Sequence, residues 1–520
     1  MRRNTEQPEI DLACPRDFPS RRSIRSDYEP VRRSQQTHGN VADVPGPGPT
    51  VAPRRSPASS TLKAKFSGAS TKQPESSGQQ RASKSNWTLK RGHALSYAGL
   101  VLFTIVLYVR PAEFYPSRLT ASIALIVALA TLGFFLPTQL SLEGTLTARP
   151  QEVNLVLLFC LTGLLSIPLA INPPIAWQEF NGTFIRCIVM FIVIVNVVRT
   201  KARLKGLLLL ALAAGLWLSV EAVNEYRLGL ATVEGYRAGG SGGGIFGNSN
   251  DMALFLVSIV PIAIALLLGS RSLARKFFFG GCAVLMVAGI VLTYSRGGFI
   301  GLLVALTFFA WKAGQRRRLE IVVVGFLIVA AFLALVPGYA LRLASILVPS
   351  LDPVGSSEAR SGELFRSLYV AIRHPLLGIG MGNYSREMSY RGLVTHNSYT
   401  QVAAEMGMAA LVCYTMFIVA PLRKLGQIGR ETSEARSNSN YYYLAVGLQA
   451  SLLGYMFCSF FASVAYLWYV YYLVGYAVCL RRLYESETGK TVVVEKKPKR
   501  SQVNGAPVLD HKGGVATIRL

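Results

Sequence analysis

The distribution of charge along this chain limits its fold more than any other feature. No Asp, Glu, Lys or Arg occurs at 119–142, 153–178, 206–220, 252–270, 277–295, 298–311, 321–341, 406–422 or 437–480. Several of these runs stay apolar over the roughly 20 residues that a helix needs to cross a bilayer's hydrocarbon core. Length alone, 520 residues, would suggest several soluble domains. Charged residues, however, make up only 16% of the chain, against about 25% in ordinary globular proteins. The expected fold is therefore all-α, a polytopic membrane protein.

The pattern predicts helices over roughly 93–109, 119–138, 153–170, 182–198, 206–220, 252–269, 277–294, 298–311, 320–337, 400–420, 441–461 and 465–480, about 12 transmembrane spans. The 437–480 run is too long for one helix and should fold as a hairpin around Phe461–Val464. Two polar segments flank the transmembrane domain 93–480. Residues 1–92 carry seventeen Lys/Arg and eight Asp/Glu among Ser, Pro, Gly and Gln. Such a tail cannot bury enough apolar surface to offset its conformational entropy, so it is expected to be a disordered basic tail. Nothing apolar follows its first arginines, so no signal peptide is expected. Residues 481–520 form a second polar tail.

Basic residues then orient the spans. With the N-terminal tail in the cytoplasm, the inner loops 139–151, 199–205, 270–276, 312–319 and 421–440 hold sixteen Lys/Arg. The outer loops hold eleven, all arginine, and every lysine falls on the cytoplasmic side. An even span number puts both termini inside. The net charge of +26 reads as tails and loops beside anionic membrane lipids, with no nucleic acid as partner. Of seven cysteines, Cys14 is in the tail and six fall in predicted spans, so they read as apolar packing residues and no disulfide is expected.

Two substantial loops are left on the outer face, about 221–251 and 338–399. The first carries Arg237 within a glycine-rich stretch and ends on Asn248-Ser249-Asn250-Asp251 before a span. Those side chains are good helix caps, and the glycines would let backbone approach a ligand. Arg237 has no evident structural purpose in such a loop. The second place is Thr293-Tyr294-Ser295-Arg296-Gly297-Gly298, a charge between two uncharged runs, whose glycines would open space beside its guanidinium. The bland alternative is an arginine snorkelling to lipid phosphate. The third is Thr395-His396-Asn397-Ser398-Tyr399, where a long loop meets a span. Histidine titrates nearest neutrality and suits a general base. His374, before Pro375, reads as loop architecture. Ser361–Ile372 spaces Leu364, Phe365, Leu368, Tyr369 and Ile372 as an amphipathic helix for the outer leaflet. Arg366, Arg373, Arg386 and Arg391 flank it, and Arg186 would also face outward.

No Walker-type loop, His-Glu-x-x-His or Cys-x-x-Cys is present, nor an outer-face Asp-x-Asp. The reading is therefore of no cofactor and no metal. Arginine presents a planar fork that matches phosphate oxygens and never loses its charge. Two arginines and a histidine beyond the membrane fit transfer from a lipid diphosphate. The arginines neutralise the leaving group and the histidine takes the acceptor's proton. Neither ATP nor a nucleotide sugar is at hand there, so the donor must arrive already activated.

Three stretches together resemble the O-antigen ligase and Wzy-type polymerase family of bacterial membrane proteins. They are Tyr236-Arg237 through Gly247-Asn248-Ser249-Asn250; Thr293 to Gly298; and His374 to Gly382 leading to His396-Asn397-Ser398-Tyr399 and Glu405-Met406-Gly407. The resemblance covers about 94–480 and is best over 235–420. It implies a C-type glycosyltransferase-like fold and a metal-independent, inverting transfer from an undecaprenyl-diphosphate-linked glycan in the bacterial inner membrane. The acceptor would be a glycan, lipid A-core sugar or protein hydroxyl. It also implies diphosphate binding by Arg237 and Arg296 and a general-base role for His396; Asn248, Asn250, Ser295 and Arg386 are the candidate substrate contacts. Ser249 stands where the family commonly has proline. Ligases and polymerases share these motifs. The non-enzymatic rival, a lipid-linked glycan transporter or flippase, would place ionisable groups near the membrane midplane, where these spans have none.

Overall fold

A computed structural model describes residues 92–230, 236–239, 246–312, 356–389, 392–434, 440–490 and 492, with isolated positions between 319 and 344. The proposed N-terminal tail, nearly all of the C-terminal tail beyond 490, the expected span 320–337, the glycine run 240–244 and Arg391 lie outside the described residues. Among the described residues there is no strand. The helices are α1 (Ala94–Val109), α2 (Arg118–Glu143), α3 (Gln151–Ser166), α4 (Pro173–Val197, with a π turn at Phe180–Phe184), α5 (Lys201–Leu228) and α6 (Ser249–Gly269). They continue as α7 (Leu273–Leu292), α8 (Arg296–Lys312), α9 (Ser356–Arg373), α10 (Ser398–Glu431), α11 (Asn440–Cys458) and α12 (Trp468–Thr488).

Among the described residues, eight helices are long and apolar enough to cross a membrane: those containing α1, α2, α4, α5, α6, α7, α10 and α11. α3 is apolar but has only 16 residues, and α8 has 17. α12 carries Arg481, Arg482, Glu485 and Glu487 in its last turns. The expected hairpin is present: α11 ends at Cys458, a short 3-10 turn covers Ser459–Phe461, and α12 starts at Trp468. The outer helices turn bulky apolar side chains away from the protein. On α2, Ile126, Leu129 and Phe134 are all at least half exposed, and on α3 so nearly are Leu158 and Leu165. A water-facing surface of that kind would be an aggregation liability; facing lipid it costs nothing. α12 is buried along its apolar length, with Tyr471, Tyr472 and Tyr476 packed inside. Six cysteines, at 160, 187, 282, 413, 458 and 479, are free thiols, all but Cys160 buried.

The helices alternate in direction, and the polar contacts between their ends respect that alternation. At one end Arg199 pairs with Glu143 at 2.7 Å, and Glu152 takes a bidentate grip from Arg481 at 3.0 Å and a third bond from Lys424. Lys201 pairs with Glu487 there, and the Tyr442 hydroxyl donates to the Lys312 carbonyl. At the other end Asn172 N–H donates to Asn383, Gly239 N–H to Glu225, and Ser398 to the Ala462 carbonyl. None of these pairs joins loops that the basic-residue pattern had placed on opposite sides. Lys312 and α9, which flank the expected span 320–337, stand at opposite ends.

The segment 375–382 is fastened to α10 by backbone. Ile379 and Gly380 N–H donate to the carbonyls of Ala404 and Glu405 at 2.9 Å, and Met408 N–H donates to Pro375 O at 2.8 Å. α10 leaves helical geometry at Gly407, whose φ is 86°. A Cβ on Gly407 would run into the Leu376 carbonyl, and one on Gly378 into the backbone of Glu405. The glycines of the 374–382 motif and of Glu405-Met406-Gly407 are therefore two halves of one joint.

Candidate active site

The site begins with the turn between α7 and α8. Tyr294 there has φ 51°, a left-handed conformation that costs a non-glycine residue about 1–3 kcal/mol and persists only when its surroundings impose it. Arg237 supplies much of that constraint. It is 3% exposed, and its Nε donates to the Thr293 carbonyl at 2.9 Å. Its Nη2 donates to Asn250 Oδ1 at 2.9 Å, and the Ser295 hydroxyl donates to the same oxygen. Ala238 N–H donates to the Leu292 carbonyl, and Tyr236 stacks edge-on to Tyr294. The expectation that Arg237 lacks a structural purpose is thus corrected: it braces the turn that presents Arg296. Asn248 caps α6 by accepting from Asn250 N–H, which holds Asn250 in place for both bonds.

Of the two glycines after Arg296, Gly297 lines the cavity beside that guanidinium, as the sequence suggests, whereas Gly298 is packed against α6. A Cβ at Gly297 would press on Phe461, one at Gly298 would meet Ala253 at 2.7 Å, and one at Gly301 would overlap Cys458. They let α8 lie close against α6 and α11. They also seat Arg296 over the α11–α12 hairpin.

His396 is seated on the same hairpin. It too has a left-handed backbone, φ 52°, directly before Asn397, whose side chain caps α10 by accepting from the N–H groups of Tyr399 and Thr400. The Thr395 hydroxyl lies 2.8 Å from Ser463 Oγ. Ser398 Oγ donates to the Ala462 carbonyl at 2.7 Å and accepts from Val464 N–H at 2.9 Å. Residues 100 positions apart in sequence thus reach one place because 458–464 acts as a jig for both.

Arg296 and His396 line one cavity of about 270 Å³, with Phe460 and Phe461 as its apolar wall. The third charged member is Arg360, on α9. Burial pushes the His396 imidazole down to about 4, and the positive charge of Arg360 pushes the same way, while Glu363 opposes. The ring is therefore neutral near pH 7. Glu363 is buried and points elsewhere, accepting from the Tyr384 hydroxyl at 2.8 Å and from Arg366 at 3.1 Å. Together with the Ser367–Thr400 bond, it docks α9 on α10 and so fixes Arg360. No carboxylate lines this cavity, and the described residues contain no cluster of three metal-ligating side chains.

Sequence reasoning missed Arg360. It precedes the expected amphipathic segment by one residue, and the only signal was its place four residues before Leu364, which lines the same cavity. The stripe itself is real: α9 leaves Phe365, Leu368, Tyr369 and Ile372 exposed along one face. Arg386 does not line the cavity; it sits exposed in a π turn at Tyr384–Met388, with Glu179 as its electrostatic neighbour. His374 is exposed and outside the cavity as well. Asn248, Asn250, Ser295 and Arg237 form the scaffold beneath Arg296 and do not line the cavity wall.

Residues 281–415 match the family model described as O-Antigen ligase, the family that the sequence motifs resemble. That segment runs from α7 into α10 and contains Arg296, Arg360, His396 and the glycine joint, whereas Arg237, Asn248 and Asn250 precede it. No curated protein matches the chain.

Proposed function

We propose that this O-antigen ligase-like membrane protein transfers a glycan from an undecaprenyl-diphosphate carrier to an acceptor hydroxyl, with inversion, in the cavity between Arg296, Arg360 and His396. The observation that carries the reading is the meeting of a guanidinium and a neutral imidazole, distant in sequence, in one cavity. The acceptor oxygen attacks the anomeric carbon while the bond from that carbon to the diphosphate oxygen breaks. The bonding pair leaves with the diphosphate, and His396 takes the acceptor's proton. Arg296 and Arg360 face the charge that develops on the leaving group, where preorganised cations in a partly dry site act most strongly. Guanidinium groups thereby do what a divalent cation does in other diphosphate chemistry. Arg237, through Asn250 and Thr293, holds the Arg296 turn in register. We further place the chain in the bacterial inner membrane with about twelve spans, the site outside and both termini in the cytoplasm.

In a deletion strain complemented with variants, Arg296→Lys and His396→Ala are each expected to abolish glycan transfer while membrane insertion is unchanged. A lost general base alone accounts for about 10²–10⁴-fold. Near-normal surface glycan in both variants would discard the mechanism. Gels of the deletion strain also separate the two reactions of this family. Loss of all attached glycan indicates a ligase, and single-repeat products indicate a polymerase.

A further inference from the structure

A second cavity, of about 520 Å³, opens at the other end of α5 and α6. α6 runs from Asn250, beneath the Arg296 turn, to Gly269, at this cavity. Its 21 residues put about 30 Å between the two, the thickness of a hydrocarbon core. The cavity therefore lies at the opposite membrane surface and stands apart from the glycosyl-transfer site.

Its wall is divided by chemistry. Lys201, Lys205, Arg271 and Arg275 form the polar part, and no acidic residue lines it. Leu208, Leu266, Leu480 and Leu483, from three different helices, form the apolar part. Lys201 is held by Glu487 and lies 4.6 Å from the Tyr441 ring, so it is a built part of the wall. Lys205 and Arg275 are exposed and make no hydrogen bond or ion pair among the described residues. Cations at the rim and hydrocarbon between the helices suit an amphiphile whose anionic head stays at the surface while a chain enters the protein. A soluble phosphate would use the rim and leave the apolar walls bare.

We propose that this cavity binds an anionic glycerophospholipid of the leaflet opposite the active site, its phosphate between Lys205 and Arg275 and one acyl chain along the leucines. The experiment is native mass spectrometry of the purified full chain titrated with phosphatidylglycerol or phosphatidylcholine. Wild type is expected to retain phosphatidylglycerol preferentially. Lys205→Gln/Arg275→Gln is expected to lose about tenfold or more of that affinity, at roughly 1 kcal/mol for each basic residue near the surface, with phosphatidylcholine binding unchanged. Arg423→Gln/Arg430→Gln, which removes the same charge from exposed positions outside the cavity, should retain wild-type affinity. Equal retention of both lipids by wild type, or equal losses in the two double variants, overturns the proposal. Displacement of the lipid by excess inorganic phosphate also overturns it, in favour of a soluble anion site.

Discussion

The imidazole of His396 combines two properties that a base needs in different states. In the empty cavity it is neutral, held down to about 4 first by burial and then by Arg360. At that value it is a weak acceptor, but a bound diphosphate would place negative charge beside it, and a nearby anion favours the protonated ring. Its affinity for a proton should therefore rise when donor binds. The acid limb of kcat/KM, which reports free enzyme, is then expected near 4, and that of kcat, which reports the complex, at higher pH. Arg360→Gln removes a cation and should move the kcat/KM limb upward, by less than the full displacement because burial is the larger cause. Coincident limbs in wild type, or an unmoved limb in the variant, would refute this account of the base. The same reasoning separates the arginines. Arg296 and Arg360 line the cavity, whereas Arg237 spends its bonds on Thr293 and Asn250.

At the scale of elements, the site is a consequence of two tight joints: the α11–α12 hairpin under Arg296 and His396, and the backbone pairing of 375–382 with the kink of α10. Gly407→Ala would force a side chain into the Leu376 carbonyl at φ 86°. A loss of about 3 kcal/mol or more is expected, the sum of backbone strain and overpacking. Gly133→Ala, in mid-α2 with nothing within 4 Å of its added carbon, should be neutral or slightly stabilising, because alanine is the better helix former by about 1 kcal/mol. Detergent-phase thermal melts of the two variants test the contrast, and similar melts would show that the joint contributes little. Hydropathy made the spans legible, because a helix that must face lipid advertises its length in uncharged residues. It also gave the hairpin around Phe461–Val464, because a 44-residue uncharged run cannot be one helix. Motif reading singled out Arg296 and His396, which the fold brings to one cavity. It could not find Arg360, an ordinary arginine on an amphipathic helix, whose importance comes from where Tyr384 and Thr400 dock that helix. It missed the close packing of Gly298 and the purpose of Arg237, because close packing and the bracing of a turn are properties of tertiary neighbours that no local pattern carries.

Across the whole molecule the two ends differ in chemistry. One end gathers Lys201, Lys205, Arg271, Arg275, Lys312, Lys424 and Arg481, and ties three helices together through buried Glu152. Lys424→Met/Arg481→Met strips that carboxylate of both cations, and leaving a buried charge unpaired costs about 3–5 kcal/mol. The melting temperature should fall, and adding Glu152→Leu to that double variant should recover much of the loss, since the uncompensated charge goes with it. The other end carries the loops whose basic residues are all arginine and the Arg296–His396 cavity. Basic residues near span ends are retained in the cytoplasm during insertion, so the lysine-bearing end is expected inside and the catalytic cavity outside. Two exposed positions at opposite ends of the bundle test that orientation: Leu228, ending α5, and Leu273, starting α7, are 61% and 69% exposed. In a background without other reactive cysteines, Leu228→Cys should react with an impermeant maleimide added to intact spheroplasts, and Leu273→Cys only after the membrane is opened. The reverse pattern would put His396 in the cytosol, where nucleotide sugars are plentiful and the case for a lipid-diphosphate donor loses its chemical motive.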